Sequence, residues 1–217
     1  MKNEIVNTAR YLWQKGWAEA GVGNISVRYH GRIRNAFNHL PVKIMPGLSM
    51  YITASGSRFR NITENDVGYF WVGAEGETFG FDLENAKPSS EMMAHLLIHE
   101  ALEKTDEKCI VHVHATNVIA LSMVVQDEQK INEMLSRIPE IPVFAPGGFG
   151  LVPILPPGST ELAIASVEMV KSGRKALIWP RHGLVTIAKD LETAIDIVEA
   201  TEKSAEVALK IMACGIR

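Results

Sequence analysis

The sequence predicts an α/β fold in which a sheet is sandwiched between helices. Apolar residues recur every second position in some stretches and every third or fourth in others, and the two kinds of stretch alternate irregularly. Several strand candidates are separated by connections of hairpin length. Both features disfavour a parallel nucleotide-binding sheet, which needs a regular strand–helix alternation.

Residues 3–17 place Ile5, Ala9, Leu12 and Trp13 on one helical face, and Gly16 ends the run. Gly21-Val22-Gly23-Asn24 is a turn leading into a short strand, Ile25–Tyr29. Residues 31–47 are rich in turn formers and read as a loop or irregular hairpin. Met50–Ala54 and Gly68–Gly73 read as strands, and Glu77–Asp82 pairs with the latter through the turn Ala74-Glu75-Gly76. After Lys87-Pro88, Ser89 and Ser90 are natural caps for a helix through about Glu103. Cys109–His114 reads as a buried strand, and 115–125 and 127–137 as helical. Ile141–Ala145 and Leu151–Ile154 read as strands around a Gly-rich turn. A capped helix from Ser159 to Ser172 and strands at Ala176–Trp179 and Leu184–Ala188 follow. The last helix, Leu191–Met212, carries Leu191, Ala194, Val198, Thr201, Ala205, Ala208 and Met212 at spacings of three and four.

With 217 residues, no internal repeat and no low-complexity linker, residues 1–217 read as one domain. A hydrophobic share of 47% and a charged share of 22% are those of an ordinary water-soluble chain. A net charge of −3 gives no basic footprint for nucleic acid, but leaves room for a local anion pocket. Two cysteines, Cys109 and Cys214, make no disulfide framework, and Cys109 in its apolar run reads as a buried thiol of a reducing compartment. The N-terminal MKNEIVNTARYLW lacks the apolar core of a signal peptide. Charges break the apolar stretches well before the ~20 residues that a membrane span needs. A cytoplasmic enzyme with neither a membrane nor a nucleic-acid partner is the expectation.

His112-Val113-His114 is the most informative tripeptide. Residues two apart on a strand point to one face, so both imidazoles reach one ion, and Val113 turns into the packing opposite. His182, in Pro180-Arg181-His182-Gly183 between two strands, sits where a turn can aim a third imidazole. Three His ligands with an open position is a catalytic zinc arrangement. Glu91, His95 and His99 form a competing stripe at i, i+4 and i+8. The metalloprotease pattern wants Glu directly after the first His, and Leu96 stands there, so His95 and His99 are read as structural. A cupin would add a Glu shortly after the His pair, and a binuclear hydrolase an Asp-His. Ala115-Thr116-Asn117-Val118 offers neither.

Small polar clusters precede the His pair: Gly23-Asn24, Thr53-Ala54-Ser55-Gly56 and Ser89-Ser90, with a helix opening at Glu91. Tight-turn N–H groups, hydroxyls and a helix N-terminus together make an anion cradle without Lys or Arg. Singly, each is also an ordinary turn or cap. Glu91 is favoured at a helix start whatever its function, and beside a metal it becomes a candidate proton shuttle.

Taken in order, Gly-Asn, Thr-x-Ser-Gly, Pro-Ser-Ser-Glu, His-x-His and His-Gly resemble the class II aldolase/adducin family over nearly the whole chain. The segments KGWAEAGVGNISVR, ITASGSRFRNI, KPSSEMMAHLLIHEAL, IVHVHATNVIAL, VFAPGGFGLVPILPPGSTEL, LIWPRHG and EKSAEVALK resemble its rhamnulose-phosphate branch. The resemblance implies a three-layer α/β/α fold with a mainly antiparallel central sheet and a zinc site of His112, His114 and His182. It implies Glu91 as acid/base, a sugar-phosphate substrate and a homotetramer. It also implies phosphate binding by Asn24, Ser55, Ser89 and Ser90, with Thr53 and Gly56 in the same cradle. Glu140 matches a second glutamate that the branch uses in catalysis. One departure is that Ala20-Gly21-Val22-Gly23-Asn24 stands where the branch has Arg-Asn-Gly-Gly-Asn, so Gly21 lacks a side-chain amide.

Overall fold

The computed structural model describes residues 1–31 and 35–215. Helix α1 (Lys2–Gln14) buries Ile5, Ala9 and Leu12, whereas Trp13 is 42% exposed. Eight residues at 100° each carry Trp13 about 80° from Ile5, off the stripe that the sequence assigned it to. Strands β1 (Asn24–Arg28), β2 (Asn38–His39), β3 (Ser49–Thr53), β4 (Val67–Val72) and β5 (Thr78–Phe81) come next. The short β2 falls in the stretch read as a loop or irregular hairpin, of which residues 32–34 lie outside the described residues.

Helix α2 (Met92–Ala101) starts later than the two serines imply, with Glu91 at its N-cap position. Neither serine caps it: the Ser89 hydroxyl accepts instead from the Glu91 N–H at 3.2 Å. Strand β6 (Cys109–Val113) is followed by α3 (Thr116–Val124), α4 (Glu128–Leu135) and α5 (Ile141–Phe144). The strand expected at Ile141–Ala145 is thus a helical turn. Pro142 in its first turn supplies a φ suited to a helix start, and Ile141 alone is buried. A four-residue apolar run cannot by itself separate the two periods. The second expected strand, Leu151–Ile154, is displaced to β7 (Phe149–Leu151). Helix α6 (Thr160–Lys171), β8 (Ala176–Trp179), β9 (Gly183–Ala188) and α7 (Leu191–Ala213) complete the chain. Ser159 caps α6 as expected, accepting from the Leu162 N–H at 3.1 Å.

The strands form one sheet in the order β2-β5-β4-β3-β1-β6-β9-β8-β7. Every neighbouring pair is antiparallel except β7 with β8. Alternation divides the apolar residues between two cores. Cys109, Val111 and Val113 of β6 face the layer of α1, α3, α4, α5 and α7, while Ile110 faces α2 and α6. Helices on both faces leave the central strands buried throughout, which is the expected three-layer arrangement. Among the described residues, no helix is long and apolar enough to cross a membrane.

Strand β1 begins one residue earlier than expected, which draws Asn24 into the sheet opposite His112 of β6. Gly23 makes this possible: its φ is +81°, and an added Cβ would lie 3.1 Å from the His112 carbonyl oxygen. On the same face of β1, Asn24, Ser26 and Arg28 turn their polar side chains toward α2.

Candidate metal and anion site

His112 lies on β6 and His114 one residue past its end, and the strand alternation carries on far enough to keep both on one face. The His114 N–H donates to the Trp17 carbonyl at 2.8 Å, which anchors the chain as it leaves the sheet. His182 is presented by the tight β8–β9 connection, where Arg181 takes the left-handed φ of 64°. The Arg181 N–H donates to Ser122 Oγ at 3.1 Å and the His182 N–H to the Trp179 carbonyl at 3.0 Å, so neighbouring structure holds this turn. Gly183 follows because a Cβ there would stand 2.2 Å from the Val113 carbonyl oxygen. The three imidazoles bring one ligand atom each to within 4.8 Å of one another.

Their chemistry fits a metal. His112 Nδ1–H donates to the Leu184 carbonyl at 3.2 Å, which fixes the tautomer and turns the bare Nε2 toward the other two rings. That Nε2 is buried and has no hydrogen-bond partner among the described residues. Burial keeps all three rings neutral, the form that ligates: desolvation, then the other two imidazoles, holds His112 well below the usual histidine range. Desolvation and His114 bring His182 down to about 4, and desolvation lowers His114 against the pull of Glu19. The Trp179 ring stacks on His182 at 5.2 Å between centroids and backs His112 at 4.8 Å.

Glu91 closes one side of the triad. It is 4% exposed, with Oε2 accepting from the Gly158 N–H at 2.9 Å and Oε1 lying 3.8 Å from His182 Nε2. Desolvation raises its pKa, and the Gly158 hydrogen bond opposes the shift only in part. A carboxyl so placed is suited to exchange a proton.

A cavity of about 310 Å³ opens on these groups, lined also by Gly21, Gly23, Asn24, Ser55, Gly56, Ser89 and Ser90. Two chain segments are clamped together to form its wall. Ala54 bridges to Pro88, the Ser55 N–H donates to the Lys87 carbonyl at 2.9 Å, and the Ser89 N–H donates to the Thr53 carbonyl at 3.2 Å. Thr53 itself does not line the cavity. Its hydroxyl, buried behind the wall, accepts from the Ile25 N–H at 3.2 Å and so ties β3 to β1. Glu140 is exposed at the start of α5 and does not line the cavity either.

His95 and His99 stand apart from the triad, with partners of their own. His95 joins Asn24 and Ser26, and His99 joins Ser26. Sequence reasoning did not single out Gly158, Leu184 or Glu202. Glu202 of α7 accepts from the N–H groups of Asn117 and Val118 at 3.0 Å, capping α3 just after His114. The signals were present but bland: a Pro-Pro-Gly turn, an apolar strand residue and one glutamate on a long helix.

The model of the class II aldolase and adducin N-terminal domain matches residues 3–209. A rhamnulose-1-phosphate aldolase of Enterobacter sp. (strain 638) is 30% identical over 234 residues, covering 97% of this chain and 84% of that protein. The crystal structure of a sugar-phosphate aldolase from Thermotoga maritima superposes with a TM-score of 0.89 at 33% identity, covering 100% of this chain and 96% of that one. An L-fuculose-1-phosphate aldolase from Thermus thermophilus shares the fold at a TM-score of 0.67 and 19% identity, over 98% of this chain and 94% of that one. With the family model spanning nearly all of it, the chain belongs to the class II aldolase and adducin family and is an enzyme.

Proposed function

We propose that the chain is a zinc-dependent aldolase, reversibly cleaving L-rhamnulose 1-phosphate to dihydroxyacetone phosphate and L-lactaldehyde. The observation that carries the reading is that three imidazoles able to hold a metal ion, a buried carboxyl with a raised pKa, and the Gly-Asn, Ser-Gly and Ser-Ser clusters all line one cavity. The rhamnulose-1-phosphate aldolase of Enterobacter, alike over almost the whole chain, supports the choice of sugar.

His112, His114 and His182 would hold one zinc per chain, supplying a Lewis acid for negative charge that develops at the substrate's carbonyl end. Glu91 acts on the carbon chain. With Oε2 tied to Gly158, Oε1 is the oxygen that delivers a proton to C3 in cleavage, while a second base takes the C4 hydroxyl proton as the C3–C4 bond breaks, and both transfers reverse in synthesis. Asn24, Ser55, Gly56, Ser89 and Ser90 bind the phosphate and anchor the non-reacting end, so binding energy there orients the bond to be broken. Thr53 supports this cradle from behind. The reading includes a cytoplasmic homotetramer. Catalysis by Glu140 fits with it only where the assembly presents Glu140 to a neighbouring protomer's cavity.

A coupled assay for dihydroxyacetone phosphate, run on a panel of ketose 1-phosphates with and without chelator, tests the proposal. Chelator-sensitive release from L-rhamnulose 1-phosphate is expected. Release from L-fuculose 1-phosphate alone would replace the sugar. Epimerisation of a pentulose 5-phosphate without release would replace the reaction.

A further inference from the structure

Behind the cavity wall, four side chains make an unbroken buried chain of hydrogen bonds. Asn24 Oδ1 lies 2.5 Å from His95 Nε2, His95 Nδ1 lies 2.6 Å from Ser26 Oγ, and Ser26 Oγ lies 2.8 Å from His99 Nε2. Asn24 and Ser26 are two apart on β1, and His95 and His99 four apart on α2, so strand and helix periods meet in register. His95, His99 and Ser26 are each at most 1% exposed.

One direction of donation fits the chain better than the other. His99 Nδ1 is buried with no partner among the described residues in either direction. A buried N–H without an acceptor is rarer than a buried lone pair without a donor, so His99 carries its proton on Nε2 and donates to Ser26 Oγ. Ser26 has one hydrogen, and it goes to His95 Nδ1. His95 is then protonated on Nε2 and donates to Asn24 Oδ1. That occupies the carbonyl half of the Asn24 amide and leaves the Nδ2 half to donate into the cavity. The reverse direction would put a proton on His99 Nδ1, turn a bare His95 Nε2 toward Asn24 and present the amide oxygen to the cavity, where it repels an anion.

We infer that His95, set by Ser26 and His99, is a positioning residue that fixes the Asn24 amide with its N–H groups toward the substrate phosphate. This rests on the proposed phosphate cradle and adds to it the element that gives Asn24 its polarity. It also gives a function to the helical His pair that the metal site leaves unused.

The direction is read from imidazole nitrogen shifts of the native protein labelled with ¹⁵N-histidine, with His95 assigned by its loss in His95→Gln. The Nε2–H tautomer is expected at both His95 and His99. The consequence is read by calorimetric titration with inorganic phosphate. Asn24→Ala and His95→Leu should each weaken binding by about tenfold, the worth of one hydrogen bond to a charged group. His95→Gln, whose amide N–H reaches the place of Nε2–H, should stay within about threefold of the native protein. In the Asn24→Ala background His95→Leu should cost nothing further. Zinc content should not change in any of them. An Nδ1–H tautomer at His95, or equal losses for His95→Leu and His95→Gln, overturns the positioning role while the cradle stands. Native phosphate affinity in Asn24→Ala overturns the cradle, and the positioning role with it.

Discussion

Glu91 Oε1 stands 3.8 Å from His182 Nε2, while its second oxygen is held by the Gly158 N–H at 2.9 Å. The carboxyl is therefore fixed at one end, and among the described residues no hydrogen bond holds the other, which lies beside the three imidazoles. Glu91→Gln keeps an acceptor for Gly158 and removes only the exchangeable proton. It should retain zinc and lose turnover on the order of 10²-fold or more. Native turnover with full metal would reduce Glu91 to a buried charge at a helix start.

The triad is tested by its outermost member. His114 is partly exposed, and its structural anchor to Trp17 is a backbone bond that survives truncation. His114→Ala should lower bound zinc from about one per chain to a small fraction, abolish activity and leave the circular dichroism spectrum unchanged. Full metal occupancy in this variant would refute the three-histidine site.

Stability should fall as the solution is made mildly acidic. Burial brings His95 down to about 3, and depresses His99 and His112 in the same direction, whereas the unfolded chain protonates its histidines near 6.5. Between those values the unfolded state binds protons that the folded state refuses. Each such histidine then costs about 1.4 kcal/mol per pH unit as pH falls. Glu91, whose pKa is raised, works in the opposite sense. Urea unfolding of metal-free protein between pH 7 and 5.5 should show the slope, and His95→Gln should reduce it. A flat profile would contradict the burial of neutral imidazoles.

The site was legible where chemistry and backbone period coincide. His112 and His114 follow from strand alternation, and the Gly-Asn, Ser-Gly and Ser-Ser clusters do line one cavity. Thr53 was not separable from them, because a hydroxyl spent on the Ile25 N–H of a strand 28 residues away leaves no local mark. The helical turn at Ile141–Phe144 was hidden for a related reason: Ile-Pro-Val-Phe is strand-like in composition, and α7 packing decides it. Tertiary anchors such as Gly158 to Glu91 lie beyond any local pattern.

Arg28 links β1 to the far end of α2. Its guanidinium, 7% exposed, donates to the carbonyls of His99, Leu102, Thr105 and Glu107 at 3.1, 2.6, 2.8 and 3.0 Å. These include the last-turn acceptors that a helix cannot satisfy itself. Arg28→Met should cost roughly 2–3 kcal/mol in chemical denaturation, from carbonyls left buried without donors. Arg28→Lys should recover only part of it, since one ammonium has three donors and no fork. A neutral Arg28→Met would mean that water replaces the guanidinium.

The choice of sugar should be made away from both zinc and phosphate. L-Rhamnulose 1-phosphate and L-fuculose 1-phosphate share the phosphate, the carbonyl and the terminal methyl, and differ in stereochemistry around the cleaved bond. The triad and the cradle therefore see the same groups in each, and the aldehyde half must be discriminated by something else. Gly21, at φ +92°, offers no side chain there, and Glu140 stands exposed outside the cavity of its own chain. In the proposed tetramer, a neighbouring protomer would supply the discriminating group. One hydrogen bond in a desolvated site contributes roughly 1–3 kcal/mol, or about 5- to 150-fold in kcat/KM, in favour of the rhamnulose ester. Glu140→Gln should erase most of that preference while leaving zinc content and phosphate affinity intact. Mixing Glu140→Gln with Glu91→Gln protomers should restore the preference for the rhamnulose ester, because some cavities then receive both native glutamates. Light scattering should show a tetramer. Equal kinetics on the two sugars would overturn the rhamnulose assignment, and an active monomer would make Glu140 a surface charge.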